Sequence, residues 1–299
     1  MNNFRFTTKN TSEFSIREKL NAAGLITGIG IYDTFSALML ESAGAELLFL
    51  GGFGATASLL GLPDLSLITA NEMTESIRRI TNVINIPLIA DGDTGFGGLL
   101  NVMQTVQQYE AAGASGILLE DQVFPKKCGH FQNKQVISTR EMVQKLDIAI
   151  NARRNSDFVI IARTDALATE SFDQVIERVQ RYTEAGADLC FVEALETEKQ
   201  IFSLPQRVDV PLMVNMLWGG KTPILTSQQL EKAGYKLMAI PIASLLSVGG
   251  ALKRLMADLQ KHGKITETAD QMISFDEIKH VLKLDEIQKI ISANPDISH

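Results

Sequence analysis

Cysteine is nearly absent from this chain: Cys128 and Cys190 are the two among 299 residues. Two thiols in so long a chain do not make a disulfide framework, and a reducing, cytoplasmic setting is the expectation. No apolar run approaches the roughly 20 residues that span a bilayer. Residues 1–17 are polar with scattered aromatics and lack the apolar core of a signal peptide. No basic block stands out, and the formal net charge is −7. Nucleic acid and anionic membrane surfaces are therefore excluded as main partners. A small anionic substrate is not excluded, since a few local cations suffice to hold one.

What is present is a composition able to bury a large core, 45% hydrophobic and 21% charged. Length alone suggests two domains, but barrels of roughly 250 residues occur as one. Short apolar runs at 25–31, 47–50, 86–90, 116–119, 158–162, 189–192, 211–214 and 237–240 read as eight strands. Helical stripes alternate with them, at 15–23, 34–43, about 73–81, 99–112, 138 to about 153, 171–185, 227–233 and 243–261. Ser138 with Glu141 has the spacing of a capping box. Eight strands alternating with helices favour a closed parallel (β/α)8 TIM barrel over an open sheet. A weak repeat supports the count: Gly44, Gly113, Gly186 and Gly234 each stand between a helix and a strand, where a glycine suits the left-handed position past a helix end. The expected division is a catalytic barrel over 1–262 and a helical tail over 263–299. Ser274 and Glu277 form a second expected capping box there. The tail's apolar stripe, Phe275, Ile278, Val281 and Leu282, continued by Leu284, Ile287 and Ile291, must be covered by the barrel or a neighbouring subunit.

In such a barrel, polar residues at the C-terminal ends of strands are the functional signal. Here they are Asp33, Asp91, Asp93, Glu120, Arg163, Glu193 and Asn215. One buried-edge carboxylate is usually a cap or an ion-pair partner. Seven converging polar ends are hard to explain by stability, because each is costly to desolvate. Oxygen donors without a cysteine or histidine cluster point to Mg²⁺, or Mn²⁺, rather than zinc. Two carboxylates two residues apart are expected not to face the same way, so Asp91 is the expected direct ligand, with Asp93 and Glu120 acting through water. Cys128 lies in Lys126-Lys127-Cys128-Gly129-His130. A thiol among cations has a lowered pKa and can exchange a proton near neutrality, whereas isolated Cys190 reads as a small buried hydrophobe.

Together these stretches resemble the isocitrate lyase and phosphoenolpyruvate mutase superfamily. The residues that carry the resemblance are Gly61-Leu62-Pro63-Asp64, the run from Asp91 to Gly97, Glu120-Asp121-Gln122, Lys126 to His130, Ala162 to Ala166, and Val192-Glu193-Ala194. The Lys-Lys-Cys-Gly-His run is similar to the branch of 2-methylisocitrate lyase and dimethylmalate lyase, which cleaves carbon–carbon bonds. The resemblance implies that Asp91, Asp93 and Glu120 serve Mg²⁺, and that Cys128, Arg163, Lys126 and Asp64 are catalytic. It implies that Tyr32, Gly51, Gly52, Phe53, Gly129, His130, Glu193 and Asn215 bind a small carboxylate substrate. It also implies a homotetramer, a dimer of dimers that exchange the eighth helix. Three departures stand out. Phe49 and Gly51 replace a Tyr and a Ser of methylisocitrate lyases, Leu246 stands where an Arg is usual, and Trp218 where a Glu is usual. Each makes the pocket more apolar and favours a dicarboxylate with an alkyl group over a tricarboxylate.

The expected activity is Mg²⁺-dependent cleavage of a 2-hydroxy carboxylate to pyruvate or another 2-oxo acid through an enolate. Rival expectations are an oxaloacetate decarboxylase or phosphonate enzyme on the same scaffold, and a barrel that binds carboxylates without catalysis.

Overall fold

The computed structural model describes residues 15–126 and 134–293. The order is α1 (Ile16–Asn21), β1 (Ile26–Ile31), α2 (Thr34–Ser42), β2 (Leu48–Leu50), α3 (Gly52–Leu60), α4 (Ala70–Thr81), β3 (Leu88–Asp91), α5 (Leu99–Ala111), β4 (Gly116–Glu120), α6 (Thr139–Ala152), β5 (Val159–Thr164), α7 (Phe172–Glu184), β6 (Leu189–Val192), α8 (Glu198–Ser203), β7 (Leu212–Asn215), α9 (Ser227–Ala233), β8 (Leu237–Ile240) and α10 (Ala243–His262). Two tail helices follow, α11 (Phe275–Val281) and α12 (Leu284–Ala293). The strands pair in chain order, all parallel, and β8 closes on β1. The fold is a (β/α)8 barrel with a helical extension.

The core has two layers, set by the period of two along each strand. Ile89, Leu118, Val159, Ile161, Phe191 and Met213 point into the barrel, and Ile16 and Leu20 of α1 join that inner cluster. Ala90, Ile117, Leu119, Ile160, Ala162 and Val192 point outward to meet the helices. Glycines 44, 113, 186 and 234 follow their helices with φ between +91° and +104°, as caps require. Ser138 and Glu141 form a reciprocal box at the start of α6.

Several expectations are corrected. Residues 52–60, for which no helix is expected from the sequence, form α3: two early glycines weaken the helical signal, but the run from Ala55 to Leu60 continues it to Gly61, a left-handed cap. α4 begins at Ala70, three residues earlier than read, because Thr69 and Glu72 cap it reciprocally. In the tail only half the expected box exists: Ser274 Oγ accepts from the Glu277 amide. The tail stripe breaks at Lys283, where φ is +59°, and α11 lies against α2. No helix among the described residues is long and apolar enough to cross a membrane.

Candidate active site

One alternation rule places most of the site. Asp91, Glu120, Arg163, Glu193 and Asn215 each lie two residues beyond an inward apolar residue: Ile89, Leu118, Ile161, Phe191 and Met213. Each therefore points to the barrel axis, just above the apolar core. Strands β3, β4, β5 and β7 run one or two residues further than expected, so that Asp91, Glu120, Arg163 and Asn215 are strand residues. Arg163 stands directly across the ladder from Glu120 and from Phe191. Asp33 departs from the set: its carboxylate accepts from the Ser36 amide at 2.7 Å and caps α2.

The C-terminal mouth holds a cavity of about 320 Å³. Gly51, Gly52, Phe53, Asp64, Asp91, Arg163, Glu193 and Asn215 line it, as do Phe49, Leu118, Phe191, Met213, Leu217, Trp218, Ile242 and Leu246. All the departures toward apolar character thus face one space. Arg163 is the one cation among these lining residues. Tyr32 does not line the cavity; it packs beside Gly54 of α3. Cys128, Gly129 and His130 lie outside the described residues.

An acid cluster adjoins the cavity, and its Asp64 and Asp91 line it. Lys126 Nζ donates to both oxygens of Asp64 at 2.7 Å and lies 3.0 Å from Asp93 Oδ1. Asp91 accepts the Gly52 amide on one oxygen and the Asp93 amide on the other, both at 3.1 Å. The expectation that Asp91 and Asp93 face apart is wrong. Strand alternation puts residues i and i+2 on one side, and Asp93, with φ +47°, keeps its carboxylate there. A Cβ built on Gly52 would meet oxygens of both, at 3.1 and 3.2 Å. Burial, with Asp91 and Asp64 nearby and against the pull of Lys126, raises the Asp93 carboxyl to about 7. For Lys126 burial works the other way, but the surrounding carboxylates prevail and hold its pKa well above the usual lysine value.

Glu120 is 1% exposed. Arg163 Nε approaches its Oε2 to 3.3 Å but donates instead to Asp165 Oδ2 at 2.8 Å. Both oxygens of Glu120 are therefore left without a hydrogen-bond donor among the described residues, and burial holds its pKa well above the usual carboxylate value. Arg163 is gripped elsewhere, by Asp165 through Nε and Nη2 and by Glu193 Oε2 at 3.1 Å from Nη2. Its guanidinium carbon lies 5.6 Å from the centre of the Phe191 ring. Burial would raise Asp165, yet Arg163 and Lys134 hold it at about 2.

This donor set fits a hard divalent cation. It is all carboxylate, it holds six acids (Asp64, Asp91, Asp93, Glu120, Asp165, Glu193) against three cations (Lys126, Lys134, Arg163), and Glu120 presents two donorless oxygens. Among the described residues, the group whose ligand atoms all lie within 4.8 Å of one another is a different one, Asp258, His262 and Glu267. It sits at the far end of α10, where both oxygens of Asp258 already accept from Thr266 and Thr268; it closes a turn.

Sequence reading missed Asp165, Lys134 and Asp121 as supports. The available signal was again the period of two: Asp121 follows the outward Leu119, and Asp165 follows the inward Arg163.

The family model described as phosphoenolpyruvate phosphomutase matches residues 16–260. A 2,3-dimethylmalate lyase of Eubacterium barkeri is 38% identical over 275 residues, 92% of this chain and 95% of the relative. A 2-methylisocitrate lyase of Aeropyrum pernix is 39% identical over 274 residues, 92% of this chain and 88% of the relative. The solved structure of a phosphonopyruvate hydrolase with oxalate and Mg²⁺ superimposes with a TM-score of 0.84 at 29% identity, covering 93% of this chain and 97% of that one.

Proposed function

The chain belongs to the phosphoenolpyruvate phosphomutase family, in the superfamily of phosphoenolpyruvate mutase and isocitrate lyase, and from that membership we propose a Mg²⁺-dependent carbon–carbon lyase. Its proposed substrate is a 2-hydroxy dicarboxylate bearing an alkyl or other apolar group, cleaved to pyruvate or another 2-oxo acid. The observation that carries this reading is the joining, in one cavity, of a buried acid cluster with an apolar wall of Phe49, Phe53, Trp218 and Leu246.

In this reading Asp91, Asp93 and Glu120 hold the ion, which supplies electrophilic stabilisation to a substrate carboxylate and its neighbouring oxygen when bound. Mn²⁺ suits the same oxygens. The oxalate and Mg²⁺ of the phosphonopyruvate hydrolase support that choice. Arg163, clamped by Asp165 and Glu193, donates to the oxygen on which charge develops as the carbon–carbon bond breaks. The turn at Gly51, Gly52 and Phe53 offers the positive end of α3 to a carboxylate. Asn215 lines the cavity with an Oδ1 that accepts no hydrogen bond among the described residues; a substrate hydroxyl supplies the matching donor. Lys126 and Asp64 keep a cation among the acids. The roles of Cys128, as acid toward the departing fragment, and of Gly129 and His130 rest on the resemblance. Tyr32 acts through α3, by its contact at Gly54. The apolar wall leaves a third substrate carboxylate without a cation, which disfavours tricarboxylates.

A substrate panel tests this. With Mg²⁺ the protein is expected to release pyruvate from 2,3-dimethylmalate or another malate bearing a 2-methyl group, faster than from 2-methylisocitrate. Excess chelator should abolish the release and added Mg²⁺ restore it. Turnover of oxaloacetate or phosphonopyruvate alone would replace the reading with a decarboxylase or phosphonate enzyme. Oxalate binding without turnover of any of them would make the barrel a carboxylate-binding protein.

A further inference from the structure

Glu120 and Asp121 are neighbours that face opposite ways. Glu120 points into the barrel; Asp121, two residues past the outward Leu119, points into the layer between strands and helices and is fully buried. A carboxylate there is costly unless its oxygens are well supplied with donors. Asp121 is well supplied. Its Oδ2 accepts from Thr164 Oγ1 at 2.6 Å and Tyr182 OH at 2.8 Å, with Arg178 Nη1 at 3.4 Å. Its Oδ1 accepts the Asp165 backbone amide at 2.9 Å. Arg178 is itself tied to Glu170 and to the Ile137 carbonyl.

Two of these bonds reach Thr164 and Asp165, where β5 ends and the chain turns. Asp165 is the residue that holds Arg163, through bonds of 2.8 and 3.1 Å, and Lys134 at 2.6 Å. A buried anion thus fixes the backbone whose next side chain aims the cavity's guanidinium. We propose that Asp121 is a positioning residue for Arg163: it sets the Thr164–Asp165 turn, and through the Asp165 carboxylate the direction of the Arg163 guanidinium, without touching the cavity. Its importance for turnover rests on the role given to Arg163 in the lyase reading; its geometric role does not.

The test is Asp121→Asn, which keeps the shape but puts an amide NH₂ where two hydroxyls and a guanidinium now donate. In its crystal structure the Asp165–Arg163 pair is expected to lengthen or break. With the best substrate of the panel, kcat is expected to fall roughly 10- to 100-fold, as loss of a support behind a reacting group does, with KM changed less than threefold. Tyr182→Phe removes one donor and leaves the charge, so a smaller displacement in the same direction is expected should the Asn variant not fold. A guanidinium superimposing on the wild type in a folded variant, or a kcat per folded chain unchanged with only the melting temperature lowered, overturns the proposal. If the wild-type protein turns over nothing, the lyase reading fails while the crystallographic arm still decides the geometric one.

Discussion

At the scale of single residues, the proposed role of Glu120 sets stability against function. A buried carboxylate whose oxygens receive no hydrogen bond destabilises the metal-free fold by roughly 1–3 kcal/mol. Such a residue is retained where it serves chemistry. Glu120→Gln is therefore expected to leave the chelator-treated protein as stable as the wild type or more so, with a melting temperature equal or higher by calorimetry. Its lyase activity should drop on the order of a thousandfold, about 4 kcal/mol of transition-state stabilisation. A variant with lowered melting temperature and full activity would show that Glu120 is a structural ion-pair partner of Arg163. The residue also shows how much of the site was legible. Its place at the end of an apolar run marked it as functional, but nothing in the sequence told that Arg163 would turn its Nε to Asp165 and leave Glu120 with an ion-pair contact but no hydrogen bond, because that choice is made by packing across β5.

At the scale of elements, the strands were readable because each is short, apolar and bounded by polar residues, and the helices because their apolar residues recur at helical spacing. α3 was not, because its first turn is built for the site rather than for helicity. Gly52 sits at the helix start with its amide on Asp91, and a methyl group there would lie 3.1 Å from Asp93, 3.2 Å from Asp91 and 3.3 Å from the Lys126 ammonium. Alanine is the better helix former by up to about 1 kcal/mol, so propensity and site conflict at this position. Gly52→Ala is expected to change stability by less than about 1 kcal/mol in denaturant titration, yet to cost on the order of 100-fold in kcat/KM by displacing groups that must be placed to within an ångström. Activity close to wild type would mean that the acid cluster yields to the methyl group and that α3 does not set its geometry. Asp93 was misjudged for another reason: the period of two puts it on the side of Asp91, and the left-handed turn at Asp93 keeps it there.

At the scale of the whole molecule, the outlier is α10. It is 20 residues long and Asp258 alone in it is buried, although the eighth helix of a barrel should cover β8 and β1. Val248, Leu252, Met256 and Leu259 recur at helical spacing and form one exposed apolar stripe, with Leu252 60% and Met256 51% accessible. Contiguous exposed apolar patches mark interaction surfaces. We propose that the partner is a second copy, in the helix-exchanged homotetramer that the resemblance implies. Light scattering at micromolar concentration should then give a mass well above 32.8 kDa. The double variant Leu252→Glu, Met256→Glu should shift it to a smaller species. Because Leu246, in the first turns of α10, lines the cavity, the smaller species should also lose activity on the panel's best substrate, by tenfold or more, as the loosened helix lets that wall move. A wild-type chain that runs as a monomer, or a dissociated variant with undiminished turnover, would show that α10 neither joins subunits nor braces the site.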